Sequence, residues 1–120
     1  MRTSEDIDNC IQKIVDTLAD SVISVVELAN FSLKKLKKIE NNLILPLVEE
    51  EGPTSSRRQE LTKIYKRNAA IYLTKTEVLM QGDLFGATSR PYIMPEERSI
   101  DIDAPFDFTL ADLLLSQPKP

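Results

Sequence analysis

Two carboxylates in the run Arg98-Ser99-Ile100-Asp101-Ile102-Asp103 offer the most concentrated chemistry in the sequence. In an extended segment alternate side chains share a face, which sets Asp101 and Asp103 side by side with Cα atoms about 6.6 Å apart. Neighbouring carboxylates repel, so the pair favours a shared cation or a shared proton. Oxygen ligands completed by water and substrate phosphates are what Mg²⁺ accepts. The same residues carry a second reading. Asp103 precedes Ala104-Pro105 and is placed to cap a helix N-terminus, with Asp101 merely solvated.

A second constellation is Arg57-Arg58-Gln59 with Lys63, Lys66, Arg67 and Asn68. Arginine forks pair bidentately with carboxylates and phosphates, and an Asn before a strand can orient a ligand hydroxyl. The alternative is a solvated surface cluster. The lysines at 34, 35, 37 and 38 read as the outer face of a hairpin or helix. Cys10 lies among apolar helical neighbours and reads as a core or boundary residue without reactivity.

Composition closes off other chemistries. The chain has no His, which excludes Ser-His-Asp and Cys-His catalysis and His-ligated zinc. One Cys forms neither an intrachain disulfide nor a Cys metal cluster, and three Gly are too few for a Gly-rich phosphate loop. A net charge of −4, with Tyr65 the one stacking side chain in the basic segment 57–67, argues against nucleic-acid binding. No apolar signal region or membrane-length stretch is present, so a cytoplasmic chain away from membranes is expected. At 120 residues, 42% hydrophobic and 28% charged, one globular domain is expected.

The elements that must position these residues follow from periodicity. Ile7, Ile11, Ile14, Val15 and Leu18 recur at helical spacing over residues 4–18, with Thr3 and Asp6 as a capping box. The β-branched run 21–26 and the run 68–73 read as strands buried on both faces, implying an α/β layered fold with a mostly parallel sheet. Residues 30–47 suggest a hairpin turning at Asn41-Asn42, since Asn tolerates positive φ, against a basic helix over 31–39. Residues 49–56 read as a loop. Thr74 and Glu77 form a capping-box pattern before a helix ending at Gly82, and residues 91–94 read as a short extended piece. Pro105 suits the first position of a final helix carrying Phe106, Leu110, Leu113 and Leu114. Residues 116–120 should fray.

Taken together, the segments resemble the acylneuraminate cytidylyltransferases and their relatives that activate similar sugar acids. The resemblance rests on Arg2-Thr-Ser-Glu-Asp-Ile-Asp8, Ala19-Asp-Ser-Val-Ile-Ser-Val-Val26, Arg57-Arg-Gln-Glu-Leu61 with Arg67-Asn-Ala-Ala-Ile-Tyr72, and Glu97-Arg-Ser-Ile-Asp-Ile-Asp103, in the family's order. It implies transfer of CMP from CTP to a nine-carbon sugar acid of the sialic-acid type, releasing pyrophosphate with Mg²⁺. Asp101 and Asp103 would then bind Mg²⁺ and act as the catalytic pair, while Arg58, Gln59 and Asn68 would line the sugar-acid side. Residues 30–56 would correspond to the dimerisation extension of an incomplete Rossmann-like fold.

Two departures qualify the resemblance. The family's Asn-Gly-Ala-Ile-Tyr stands here as Asn68-Ala69-Ala70-Ile71-Tyr72. The family's opening strand and Ala-Arg-Gly-Gly-Ser-Lys loop, which holds the CTP phosphates, has no counterpart, so the chain looks like a C-terminal half. Activity is then expected only with an N-terminal half. The alternative is a truncated, non-catalytic oligomerisation or interaction module. Without those strands, residues 22–26 and 69–73 should expose apolar surface. The chain is therefore expected to form a homodimer or to pair with an N-terminal half, and a monomer at high concentration by size exclusion with light scattering would contradict this.

Overall fold

A computed structural model describes residues 1–29, 33–48 and 63–117. Arg57, Arg58 and Gln59, the loop expected at 49–56 and the last residues of the tail lie outside them. The chain divides into two compact units, one of residues 1–26 with 66–120 and the other of residues 27–65. No described helix is long and apolar enough to cross a membrane.

In the larger unit, helix α1 (Ser4–Thr17) starts at a Thr3 cap whose side chain accepts from the Asp6 amide, while the Asp6 carboxylate accepts from the Thr3 amide. The expected capping box is present. The helix ends as Leu18 turns left-handed at φ 56°. Strand β1 (Ser21–Glu27) follows and is the centre of a three-stranded sheet.

In the smaller unit, a 3₁₀ turn (Leu33–Lys35) precedes a hairpin of β2 (Lys37–Glu40) and β3 (Leu43–Pro46). Ile39 faces Ile44 and Glu40 faces Leu43 across the pair. Asn41 and Asn42, both at positive φ of 52° and 62°, form the two-residue turn whose twist matches that of paired strands. The basic-helix alternative is thus excluded for the strand residues.

Strand β4 (Tyr65–Thr74) lies on one side of β1, and β5 (Ser89–Met94) lies on the other. β1 and β5 are parallel, Ser21 opposite Ser89 and Val26 opposite Met94. β4 runs antiparallel to β1, since the Lys75 amide donates to the Asp20 carbonyl while, further along both strands, the Ile71 amide donates to the Ser24 hydroxyl. The sheet is therefore mixed, a correction to the mostly parallel arrangement expected from buried β-branched runs. Such runs report burial on both faces and leave strand direction open.

Between β4 and β5 sits the short helix α2 (Thr76–Met80), capped at Lys75 without a side-chain bond. The expected Thr74 capping box is absent because the N-cap falls one residue later, at Lys75, and the Thr74 hydroxyl donates to the Leu84 carbonyl. A 3₁₀ turn (Glu96–Arg98) and helix α3 (Pro105–Ser116) complete the unit, with Pro105 at the first helical position.

Cys10 of α1, Val22 of β1 and Ile71 of β4 form the core, with Ile14, Ala70, Leu73 and Tyr92 packed against it. Val22, Ile23 and Val26 are buried, so the central strand does not expose the apolar surface expected of it. β4 and β5 flank it on both edges. Exposed apolar side chains lie elsewhere, in particular Ile7, Ile11, Val15 and Leu18 along α1. The stripe of α1 that faces the sheet is Asp6, Cys10 and Ile14.

Strand β4 carries an irregularity that bears on the site. Its buried positions are Asn68 and Ile71, three apart where a regular strand would alternate, and Ala69 between them has φ 59°. This is a bulge with its first residue left-handed, the position at which glycine is the ordinary occupant. A Cβ there costs about 1–2 kcal/mol. Ala69→Gly is therefore expected to raise unfolding stability by roughly 1 kcal/mol, after its own chain-entropy cost. Urea denaturation measures this, and a loss of stability would contradict the assignment.

Candidate functional site

The segment carrying Asp101 and Asp103 runs from the 3₁₀ turn to α3 and pairs with no strand, so sheet pleating does not impose their common face. Asp101 is half-buried and Asp103 exposed. The helix N-cap is Ala104, not Asp103. The capping carboxylate belongs to Asp107, which accepts from the amides of both Asp103 and Ala104 at 3.1 Å. This corrects the N-cap reading of Asp103 and leaves its carboxylate uncommitted to the cap.

The upstream end of the segment is held from the core. Asn68, 3% exposed, donates its amide nitrogen to the Ser99 hydroxyl at 3.0 Å and to the Met94 sulfur at 3.4 Å. Its amide oxygen accepts from the Ser24 hydroxyl at 2.5 Å and from the Ala70 amide at 3.3 Å. Ser99 in turn donates to the Pro95 carbonyl at 2.7 Å, closing the 3₁₀ turn. Asn68 thus sits beneath the surface with its polar atoms engaged within the chain. The Ala70 contact also satisfies an amide next to the bulge at Ala69.

Arg98 supplies a second anchor. Its guanidinium grips the buried Asp6 carboxylate with two bonds of 2.5 and 3.2 Å. Tyr92 donates to the same carboxylate at 2.8 Å, and Asn9 reaches the Tyr92 hydroxyl. The Arg98 hydrogen bond, against the opposing effect of burial, holds the Asp6 carboxyl well below the usual carboxylate range. Asp6 therefore serves the helix cap and the turn at once. Burial pushes the Cys10 thiol up, in keeping with the unreactive core residue expected from sequence.

Of the basic cluster, Lys63, Lys66 and Arg67 are exposed. The Arg67 guanidinium lies 5.6 Å from the centroid of the Phe85 ring. A groove of about 250 Å³ lies there, lined among others by Ile23, Val25, Arg67, Phe85 and Arg90. Phe85 is fixed by a tight loop in which Asp83 accepts from the Phe85 and Gly86 amides, both at 3.0 Å. Asp20 accepts from the amides of Ala87 and Thr88 on the same loop. Gly86, at φ 75°, is required because a Cβ there would collide with the Asp20 side chain. Arg90 and Phe85 drew no attention in the sequence, since neither sits in a charge cluster or motif.

Among the described residues no three acidic or Cys side chains converge on a metal position. Two carboxylates suffice for Mg²⁺ when waters and phosphate oxygens complete its shell. Asp101 and Asp103 fit that requirement in donor chemistry, since neither carboxylate accepts a hydrogen bond from a described side chain or amide among those resolved above.

No family model matches the chain. Comparison with curated proteins does find relatives. A CMP-N,N'-diacetyllegionaminic acid synthase of Campylobacter jejuni is 34% identical over 82 residues, 68% of this chain and 34% of the relative. An N-acylneuraminate cytidylyltransferase A of Danio rerio is 33% identical over 93 residues, 78% of this chain and 21% of the relative. Both are homologues of this chain over part of their length. A post-translational flagellin modification protein B of Campylobacter coli is 26% identical over 118 residues, 98% of this chain. The chain spans 49% of that relative's length, and smaller shares of the other two. The chain thus spans about half or less of the length of the curated relatives it matches.

The Asp6–Arg98 pair generates a pH prediction. With the folded Asp6 value below the unfolded one of about 3.9, its contribution is complete above about pH 4 and fades as pH falls further. The Arg98 side chain is 33% exposed, and removing it as Arg98→Met should cost about 3 kcal/mol at pH 7, the low end for a broken buried pair. In urea titrations the gap between wild type and Arg98→Met should narrow as pH falls below 4. A gap independent of pH would refute the linkage.

Proposed function

We propose that this chain supplies the acidic, sugar-acid-binding part of a CMP-sugar-acid synthase. In this reading the anomeric hydroxyl of a sialic-acid-type sugar attacks the α-phosphorus of CTP. The new sugar–oxygen–phosphorus link forms as the bond to the β-phosphate breaks, pyrophosphate leaves, and the hydroxyl proton passes to base or water. The observation that carries the reading is the Asp101–Asp103 pair, in a segment anchored on both sides and with no hydrogen-bond donor to either carboxylate among the described residues, in a chain with relatives of that activity.

Asp101 and Asp103 would hold Mg²⁺, which when bound neutralises phosphate charge and sharpens the attacking hydroxyl. Arg58, Gln59 and Asn68 belong to the sugar-acid side, Asn68 by shaping the strand beneath it. The groove between Arg67 and Arg90 suits a carboxylate, for which two guanidinium groups are apt partners. The Gly-Gly-Ser-Lys type of loop that cradles CTP phosphates is not among the 120 residues, so it must be supplied by further sequence or by a second chain. Charge stabilisation and phosphate positioning carry most of nucleotidyl transfer, so turnover depends on that contribution.

The outward apolar stripe Ile7, Ile11, Val15 and Leu18 favours a second reading, a non-catalytic interaction module that forms a homodimer or joins a larger partner.

Pyrophosphate release from CTP and N-acetylneuraminic acid with Mg²⁺ separates the two. The chain alone should release none above background. Addition of an N-terminal half carrying the phosphate loop should give turnover that Asp103→Asn lowers by about 10²-fold or more. A complex with that half that stays inactive, or turnover indifferent to Asp103→Asn, overturns the enzymatic reading.

A further inference from the structure

We propose that Asp107 is a positioning residue for the Asp101–Asp103 pair. The proposal rests on the reading of that pair as metal ligands and goes beyond it, to the group that sets the backbone beneath them.

Asp107 is the third residue of α3, where an acidic side chain ordinarily bonds the N-cap amide alone. Here the same carboxylate oxygen accepts from Ala104, the N-cap, and from Asp103, one residue before it, each at 3.1 Å. The second bond serves no helical donor. It ties down the backbone of a residue whose own side chain is the candidate ligand. On the other side, Arg98 is gripped by Asp6 and Ser99 by Asn68. Residues 100–102 therefore run between two fixed points, and Asp107 is the downstream one. Metal ligands depend on such outer partners, whose loss costs about 10- to 100-fold in affinity.

A helix cap alone would account for the Ala104 bond, and a nearby negative charge alone would attract a cation. Three variants separate these roles from positioning. Asp107→Ala removes both the acceptor and the charge, Asp107→Asn removes the charge and keeps an acceptor, and Asp103→Asn removes a ligand. The readout is Mn²⁺-induced broadening of backbone amide resonances at residues 100–104 in the ¹⁵N-labelled chain, below the melting temperature of the weakest variant.

Positioning predicts that the half-broadening Mn²⁺ concentration rises about tenfold in Asp107→Ala and stays within about threefold of wild type in Asp107→Asn. Equal weakening in both variants would assign the effect to charge and overturn the proposal. An unchanged midpoint in Asp107→Ala would reduce Asp107 to a cap, again overturning it. Wild type broadened no more than Asp103→Asn would instead remove the metal reading itself, and the positioning role with it.

Discussion

The side-chain amide of Asn68 is the interaction on which the larger unit turns. One buried group bonds the central strand through Ser24, its own strand through Ala70, the edge strand through Met94 and the following turn through Ser99. Every one of these partners is an uncharged atom in the interior or at its margin. Loss of such an amide would strand donors and acceptors away from water, at about 1–3 kcal/mol for each. An aspartate of the same shape would bury a charge with no cation beside it in this network. The geometry needs both halves of the amide, a donor on one side and an acceptor on the other.

That demand explains the bulge. For Asn68 and Ile71 both to face inward, β4 must take up one extra residue, and Ala69 does so in a backbone region that favours glycine. Strain at Ala69 and hydrogen bonding at Asn68 are thus two aspects of one arrangement. Asp6 provides a parallel from the helix side, where a single carboxylate caps α1 and grips Arg98. Two polar side chains, Asp6 and Asn68, each 3% exposed, connect the core to the turn that leads into the acidic segment.

Much of the local structure was legible from the residues. Thr3 and Asp6 marked the start of α1, Asn41-Asn42 marked the hairpin turn and Pro105 marked the first position of α3, because each depends on backbone chemistry within a few residues. Strand direction and the inward stripe of α1 were not legible. Helical spacing shows that Ile7, Ile11 and Val15 share a face, yet tertiary bonding to Asp6 and packing of Cys10 turn the neighbouring face inward. At the candidate site, Asp101 and Asp103 stood out by spacing, while Asp107 had the look of one more acidic residue in a helix. Its bond to the Asp103 amide is a property of the turn, which spacing does not encode. The reach of Arg98 to Asp6 spans 92 positions and leaves no local signature.

The parallel pairing of β1 with β5 has a consequence in time. Ser21 and Ser89 meet across a separation of 68 positions, with a hairpin and another strand in between. Hairpins close in about 1–10 μs, whereas non-local parallel pairing must first meet the entropy of closing a long loop. The turn at Asn41-Asn42 can therefore form early, and the central strand keeps one edge open until β5 arrives. During synthesis that edge stays unpaired until Ser89–Met94 has emerged. In that interval the β-branched run of β1 is the segment most exposed to mispairing with another chain.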